Sequence, residues 1–339
     1  MNREPKVSVI IVNWNGASHL RVCLPSLLSQ SHKALEIIVV DNGSSDDSEE
    51  VAKAFQVKWL PLKENIGLAP ALNRGAAIAT GDFLLFVNND MRFDPEFVAA
   101  LVNSLVQDKN IFATDGMQYS WEGNRPGHAA TRLTKARANQ GRDVELVPGL
   151  YFFQANELES TPVFMASAAC MLARKSLFDK LGGFDARLPL GYEDAEICWR
   201  AWIHGWKTIY VPGAICWHRV GSSGRSLEGA RYNFRGILKG RVLLATKLLP
   251  LRYAVRTWFV SSAALLKDLA LLRWPFAMDR MAILLGYGRL IPQLLREKDA
   301  LFREAGLTPE EQLERMLLLT RKEEFPAREI SSNIHEDKE

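Results

Sequence analysis

Short apolar stretches that stop at polar loops recur in the first ninety residues of the chain. Each is five or six residues long and is followed at once by asparagine or aspartate. Runs of this length, rich in β-branched side chains and bounded by turn-forming residues, predict buried β-strands. They occupy residues 7–12, 36–40 and 83–87, and the polar loops that follow begin at Asn13, Asp41 and Asn88.

The segments between these predicted strands carry apolar side chains at helical spacing. Leu20, Leu24 and Leu27 show it in the first segment, and Leu72 and Ala76 show it around the second crossover. Because strand and helix alternate, we expect an α/β protein with a mostly parallel sheet. Open sheets of this kind bind ligands at their carboxyl edge, which is where the polar loops would gather.

Composition and charge agree with a soluble enzyme. At 339 residues and 47% hydrophobic content, the chain can bury one large domain with an appendage. A formal net charge of +3 is too small to indicate nucleic-acid binding. The four cysteines show no C-x-x-C spacing, so we expect free, mostly buried thiols in a reducing compartment. The charged first six residues and the short apolar run after them are not typical of a signal peptide, so we expect a cytoplasmic protein.

Two adjacent carboxylates, Glu193 and Asp194, follow the helix breakers Pro189 and Gly191. Neighbouring like charges raise each other's proton affinity, so one of the pair is a candidate base near neutral pH. The alternative is a plain helix start, because acids complement the helix dipole and cap its free amides. The pair alone leaves both interpretations open.

Several motifs, taken in order, resemble those of the inverting family 2 glycosyltransferases. The rhamnosyltransferase-like branch that builds bacterial surface polysaccharides is the most similar. Each motif is weak alone, and their number, order and spacing make the signal specific. The resemblance implies a nucleotide-diphospho-sugar transferase fold of the GT-A type, and it covers residues 7 to about 223. The motifs lie at residues 7–15, 39–46, 65–75, 88–90, 191–194 and 217–223.

The resemblance implies a set of donor-binding residues. Trp14 would stack on the nucleotide base, and Asp41 would accept a hydrogen bond from the imide N–H of uracil or thymine, so a UDP or dTDP sugar is the expected donor. The alternatives are a core aromatic for Trp14 and, for Asp41 with Ser44, a cap on the following helix. A turn before a helix explains Asn65 and Gly67 nearly as well as donor contact. The other implied donor-binding residues are Asn13, Asn73, Asn89, Asp90, Ser222 and Ser223.

The triplet at residues 88–90 stands where the family has its D-x-D motif. A divalent cation, Mg²⁺ or Mn²⁺, needs a hard oxygen ligand there to neutralise the diphosphate leaving group. Only the last position is an acid, so Asp90 is the predicted ligand. His218 lies in a segment similar to the family's H-x-x-G-[AS]-S loop, which makes it the second predicted ligand of the cation. A strand-end turn and an ordinary histidine are the alternatives.

Within the resemblance, Asp194 matches the general base and Glu193 the acid before it. The base removes a proton from an acceptor hydroxyl while that oxygen attacks the anomeric carbon from the face opposite the diphosphate. We expect a saccharide acceptor, lipid-linked, at the inner face of the membrane. Arg200 is predicted either to hold the carboxylates or to be a solvated helix residue.

The last third of the chain is basic and apolar. Residues 229–267 contain no aspartate or glutamate but eight lysine or arginine residues, with Trp258 and Phe259 among them. The longest uncharged stretch, residues 257–266, is too short for the roughly 20 residues of a spanning helix. The pattern predicts helices that lie on an anionic membrane surface, with Trp258 and Phe259 inserted. Packing on the catalytic domain with a solvated basic face is the alternative.

Four parts follow from these patterns. We expect a nucleotide-sugar-binding half at residues 1–110, an acceptor-binding and catalytic-base half at 111–228, a basic amphipathic helical region at 229–320, and a charged, disordered tail at 321–339.

Two other functions are compatible with parts of the sequence. A sugar nucleotidyltransferase has a related sheet, but it needs a glycine-rich basic loop after the first strand, and residues 13–18 contain no lysine or arginine. A non-catalytic carbohydrate-binding protein has no need for Asp90, Asp194 and His218 together.

Overall fold

The computed structural model describes residues 4–123, 126–135, 144–155, 157–189, 191–219 and 227–319. The strands in this part of the chain are β1 Val7–Asn13, β2 Leu35–Asp41, β3 Lys58–Pro61, β4 Phe83–Asn88, β5 Met91–Phe93, β6 Ile111–Ser120, β7 Pro126–His128, β8 Ala130–Thr134, β9 Val144–Val147, β10 Leu150–Ala155, β11 Thr161–Pro162, β12 Cys170–Arg174 and β13 Lys207–His218.

Helices separate the strands and form the carboxy-terminal third. They are α1 Ala17–Leu28, α2 Ser48–Ala54, α3 Leu68–Ile78, α4 Phe97–Leu105, α5 Lys175–Lys180, α6 Glu193–Ile203, α7 Leu227–Leu248, α8 Leu251–Ala270, α9 Trp274–Gly288, α10 Ile291–Ala305 and α11 Pro309–Leu318.

A large mixed sheet forms the centre of the molecule, with the strand order β11-β13-β6-β12-β4-β1-β2-β3, and with β5 on β13 and β7 on β6. The strands β4, β1, β2 and β3 run parallel, as the alternation of strands and helices predicts. Since β12 pairs antiparallel with both β4 and β6, it joins this half to the second half of the sheet. The predicted α/β fold with a mostly parallel central sheet is confirmed.

Helical layers cover both faces of the sheet. Alternate residues of a strand point to opposite faces, and those of β1 divide accordingly. Ile10 packs in the cluster that includes α3, α6 and α7, whereas Val9 and Ile11 pack in the cluster that includes α1, α2 and α4. This division buries β1, β2 and β4 on both sides and leaves their loops at the carboxyl edge. All four cysteines are buried and free, as expected.

The helices α7 to α11 pack on the second half of the sheet domain. Helix α7 lies close to the segment directly before α6. Its Gly236 lies against Pro189, and a Cβ at Gly240, one turn later, would overlap the ring of Tyr192. Tyr192 is the residue directly before α6. The carboxy-terminal helices therefore touch the turn that carries the predicted catalytic pair. Among the described residues, no helix is both long and apolar enough to cross a membrane.

Candidate functional site

The ends of β1, β2 and β4 form one polar edge. Asn13 and Asp41 are in register at the ends of β1 and β2. The buried Asn13 side chain accepts a hydrogen bond from the Asn89 amide at 2.8 Å and donates one to Ser44 Oγ at 3.2 Å. A Cβ at Gly16 would overlap both Asn13 and Asn89, so only glycine leaves room for this link. The structure thus brings Asn13, Asp41 and Asn89 together, as predicted.

One oxygen of the Asp41 carboxylate has no hydrogen-bond partner among the described residues. Its Oδ2 accepts a hydrogen bond from the Ser44 N–H at 3.1 Å, whereas Oδ1 is buried and has no hydrogen-bond partner. A buried, unpaired acceptor costs free energy unless a ligand satisfies it. Asp41 lies at a cavity of about 330 Å³ that Trp59, Leu62 and Lys63 also line. Asp41 and Ser44 do not cap the following helix α2, whose N-cap is Asp47, so the helix-cap alternative is wrong.

Trp14 projects from the loop after β1 and is 58% exposed. This excludes the core-aromatic alternative. The loop holds its shape because Asn15 has a φ of 49° and its side chain accepts a hydrogen bond from the Ser45 N–H at 2.8 Å. The exposed indole follows directly after Asn13, which is in register with Asp41, and is available to stack on a planar ring.

The segment after β3 is held by amide side chains. Asn42 donates to Asn65 Oδ1 at 3.0 Å and accepts from the Ile66 N–H at 2.9 Å. Asn65 also accepts from the Gly67 N–H, and Gly67, with a φ of 90°, starts α3. Asn65 therefore builds the loop beside Asp41, and its contact with a donor stays a prediction.

Asn73 lies apart from the polar edge. Its amide donates to the Phe184 carbonyl at 2.8 Å and accepts from the Phe184 N–H at 3.0 Å. Both ends of the amide are thus occupied by the backbone of the loop before α6. The structure shows Asn73 joining α3 to that loop and does not bring it together with the other predicted donor-binding residues.

Asp90 and His218 meet where β5 pairs with the end of β13. The Nε2 of His218 lies 3.2 Å from Oδ1 of Asp90, and each side chain is 20% exposed. The Arg219 N–H donates to the Asp90 carbonyl at 3.0 Å and fixes the two segments together. Predicted Ser222 and Ser223 lie outside the described residues.

This pair fits a divalent cation that is shared with a substrate. Cations in phosphate-transferring sites are held by one or two protein ligands and complete their shell with phosphate oxygens and water. Two ligands about 2.1 Å from one cation at a right angle lie about 3 Å apart, close to the observed separation. Within the described residues, no three His, Cys, Asp or Glu side chains converge into a complete metal cage.

The two adjacent carboxylates have different surroundings. Glu193 is buried and accepts hydrogen bonds from the N–H groups of Gly191 and Tyr192 at 2.6 and 3.0 Å. Its carboxylate therefore closes the turn before α6. Asp194 accepts from the N–H of Ala195 at 2.7 Å, and its Oδ2 lies 3.5 Å from the N–H of Ala168.

Burial is the main electrostatic influence on this pair. It raises the pKa of Glu193, and the neighbouring Asp194 carboxylate raises it further. Burial also raises the pKa of Asp194, against the lowering effect of its backbone hydrogen bonds and of the charge on His128. A carboxyl group with a raised pKa is a stronger base once ionised, which suits proton abstraction near neutral pH.

Sequence reasoning missed the partners of Asp194 on β6 and β7. His128 Nε2 lies 2.7 Å from Asp115 Oδ2, and Cys170 Sγ lies 3.2 Å from the other oxygen of Asp115. Although burial lowers the pKa of His128, the Asp115 carboxylate raises it above the ordinary value. No motif marks a lone histidine in a three-residue strand, so only the fold identifies this pair.

Arg200 has a role that neither expectation described. It is buried, and its guanidinium binds Glu196 at 2.7 and 2.8 Å and the carbonyls of Leu181 and Gly183. The expectation that it contacts the Glu193 and Asp194 pair, or is solvated, is wrong because a nearer acid lies one helical turn before it. It holds α6 against the glycine turn upstream.

The fold and the edge geometry define a GT-A type nucleotide-diphospho-sugar transferase. The profile described as "Glycosyl transferase family 2" matches residues 8–182, just over half of the chain. The protein therefore belongs to glycosyltransferase family 2, and the resemblance seen in its motifs is confirmed. Family membership also sets aside the nucleotidyltransferase and non-catalytic alternatives.

One known relative supports the family assignment, and two solved structures support the fold. The N-acetylglucosaminyl-diphospho-decaprenol L-rhamnosyltransferase of Mycobacterium tuberculosis is 26% identical over 239 residues, which cover 64% of this chain and 77% of the relative. The structure of GalNAc-T7 with UDP, GalNAc and Mn²⁺ has a TM-score of 0.60 at 20% identity, covering 86% of this chain and 58% of that one. The mannosyltransferase PcManGT of Pyrobaculum calidifontis, with GDP-Man and Mn²⁺, has a TM-score of 0.53 at 17% identity, covering 94% and 85%.

Proposed function

We propose that this glycosyltransferase moves a sugar from a nucleotide diphosphate to a lipid-linked saccharide with inversion, in cell-surface polysaccharide synthesis. One observation carries the proposal. The Ala169 carbonyl accepts from the Asn88 N–H at 3.3 Å, while the neighbouring Ala168 N–H faces Asp194. The candidate base therefore lies beside the loop that holds Asp90.

In this mechanism Asp194 accepts the proton of an acceptor hydroxyl. The oxygen forms a new bond to the anomeric carbon as the bond to the diphosphate breaks, and the nucleoside diphosphate leaves with the electron pair. Backbone N–H groups lie against both oxygens of the Asp194 carboxylate and fix its orientation. Direct displacement by the acceptor inverts the anomeric configuration.

Asp90 and His218 would hold a divalent cation, Mg²⁺ or Mn²⁺, together with the donor. The cation supplies positive charge that neutralises the departing diphosphate. Mn²⁺ is named with both similar solved structures, GalNAc-T7 and PcManGT.

The donor is proposed to be a dTDP or UDP sugar. Asp41 Oδ1, buried and with no hydrogen-bond partner in the described part of the chain, matches the imide N–H of thymine or uracil, and the exposed Trp14 would stack on the base. Rhamnose is the first sugar to test, because the relative from Mycobacterium tuberculosis is named for its transfer to a decaprenol diphosphate saccharide. Such an acceptor places the enzyme peripherally on the cytoplasmic face of the membrane.

The test is a transfer assay with a panel of nucleotide sugars and a short-chain lipid diphosphate saccharide. We expect one dTDP or UDP sugar to give a product whose anomeric configuration, read by NMR, is opposite to that of the donor. A product of retained configuration would contradict the inverting mechanism. Absence of product from every donor that binds would contradict transfer itself.

A further inference from the structure

The helix α8 buries several polar residues and exposes a row of large apolar ones, with Arg252, Arg256 and Lys267 exposed beside that row. Thr257, Ser261 and Asp268 are buried, whereas Phe259 is 71% and Leu266 is 68% exposed. At 3.6 residues per turn, five of the six exposed large apolar positions of α8 fall within about 80° of helix surface and so form one stripe, and Val260 lies outside it. A helix that packs on a globular core shows the opposite pattern. The stripe consists of Leu251, Val255, Phe259, Leu266 and Leu269.

The next helix, α9, buries Ala277 and Ile283 but also carries a row of exposed apolar side chains. In α9, Asp279 is buried, while Trp274, Met278, Met281 and Leu285 are exposed at spacings of three and four residues. Both helices pack on α7 and on each other, so the exposed stripes face away from the molecule. Leu271 and Leu272, both exposed, form the turn between them. We call these eleven side chains the α8–α9 face.

The concentration of exposed apolar side chains is unusual for a soluble surface. Residues 251–285 hold twelve of the twenty-three exposed large hydrophobic side chains of the described chain. Scattered exposed apolar residues are normal, but a contiguous patch marks a binding surface for another apolar body.

The charged side chains that α8 and α9 themselves expose have one sign, and one of them, Arg252, is paired with the exposed Glu310 of α11 at 3.3 Å. Both acids of residues 251–289, Asp268 and Asp279, are buried and paired with arginines, Asp268 with Arg280 at 3.1 Å and Asp279 with Arg235 at 2.7 Å. The exposed charged side chains of α8, α9 and their flanks are all positive. These are Arg252, Arg256, Lys267, Arg273 and Arg289.

We propose that the α8–α9 face inserts into the surface of an anionic bilayer. An apolar stripe with a basic border complements acyl chains beneath negative headgroups. A second copy of the chain would present the same positive border and be repelled. The inference deepens the proposed function, since it rests on a lipid-linked acceptor and identifies the surface that would bring the enzyme to it.

The geometry also connects this face to the catalytic turn. Arg256, at the beginning of α8, lies against Gly149, and Arg241 of α7 pairs with Glu145 at 3.0 Å, both in the β9–β10 hairpin. Tyr192 donates to the Leu146 carbonyl of the same hairpin at 3.2 Å. The β9–β10 hairpin thus contacts both the helices that carry the α8–α9 face and the turn before Asp194.

The expectation that Trp258 inserts with Phe259 is half wrong. The Trp258 side chain is partly buried, and its indole N–H donates to Thr246 Oγ1 at 3.1 Å. The exposed indole is that of Trp274 in α9. The inserting aromatic pair is therefore Phe259 and Trp274.

Flotation of the full chain with phosphatidylcholine vesicles of graded phosphatidylglycerol content tests the proposal. The variant F259S/W274S removes both aromatic anchors, and V22S/L158S, which removes two exposed apolar side chains from α1 and from the segment between β10 and β11, is the control. We expect tighter binding with more anionic lipid, weaker binding with added salt, and at least about a tenfold loss in the first variant only.

Transfer to a water-soluble acceptor, measured without vesicles, separates the two proposals. F259S/W274S should retain that activity although it binds vesicles less well. A wild-type protein that binds vesicles but transfers no sugar would contradict the proposed function and leave the membrane face standing. Equal vesicle binding by the two double variants would overturn the inference. So would a wild-type protein that ignores anionic vesicles at low salt, or that forms a dimer which F259S/W274S dissociates.

Discussion

At the scale of single residues, the structure separates two neighbours that the sequence presents as a pair. Consecutive residues of a helix project about 100° apart, and Glu193 and Asp194 accordingly have different hydrogen-bond partners. Glu193 turns back to the N–H groups before α6, and Asp194 turns toward Ala168 and the His128 and Asp115 pair. The sequence alone cannot show this difference, because both residues are acids in the first turn.

The unsatisfied oxygen of Asp41 predicts base selectivity. Uracil and thymine offer an imide N–H to it, whereas cytosine offers only an acceptor nitrogen at that position. We expect wild-type protein to bind UDP or dTDP more tightly than CDP by about 10-fold to 100-fold, since a hydrogen bond to a charged group contributes about 1.5–3 kcal/mol.

The variant Asp41→Asn tests this assignment. Its amide can donate to cytosine as well as accept, so the preference should shrink or reverse. Titration calorimetry with the three diphosphates gives the ratios. An unchanged preference for UDP over CDP in the variant would remove Asp41 from the base site.

At the scale of elements, the cation site depends on two segments far apart in sequence. Asp90 and His218 meet because β5 pairs with β13. Asp90→Ala and His218→Ala should each weaken metal-dependent donor binding, and the double variant should lose less than the sum, because both act on one cation.

Donor titrations with and without chelator measure this coupling. Asp299→Ala, which changes an exposed acid on α10, is the control and should bind donor as the wild type does. Strict additivity, or donor binding that chelator leaves unchanged, would contradict a shared cation.

The close approach of α7 to Tyr192 can be tested with two glycines of the helical region. Gly240→Ala places a methyl group in the Tyr192 ring, and overpacking of this kind costs about 1–3 kcal/mol. We expect the transfer rate to fall while donor affinity is retained, because Tyr192 begins the turn of Asp194.

Gly286→Ala in α9 is the matched control. No atom lies within 4 Å of its added Cβ, so it should stabilise the protein slightly, by up to about 1 kcal/mol. Kinetics and thermal unfolding of the two variants provide the comparison. Equal behaviour would show that the α7 contact does not position the base.

How far the sequence predicts each element depends on how local its determinants are. The strands β1, β2 and β4 and their polar ends follow from apolar runs, and α6 follows from the breakers before Glu193. The antiparallel β12 and the pairing of β5 with β13 depend on contacts distant in sequence, which no local pattern encodes. Asn73 illustrates the limit, since its amide binds the backbone of Phe184, 111 residues away.

At the scale of the whole molecule, buried charges dock the carboxy-terminal helices on the catalytic half. Lys247 of α7 reaches Asp185 at 2.7 Å and Glu196 at 2.6 Å, and Arg187 joins Asp185 to Glu297 of α10. Although burial raises the pKa of Asp185, hydrogen bonds from Arg187 and Lys247 hold it well below its usual range. Breaking such a pair by removing one partner leaves a buried charge and is strongly destabilising.

The central claim is that the polar edge at the ends of β1, β2 and β4 binds the donor and that Asp194 is the base of an inverting sugar transfer. The most direct measurement compares donor affinity and transfer rate in wild type and in Asp194→Asn, which keeps the shape of the side chain but removes the base. The account predicts unchanged donor affinity and a transfer rate lower by about 10² or more. Wild-type turnover in Asp194→Asn, with donor bound normally, would contradict it.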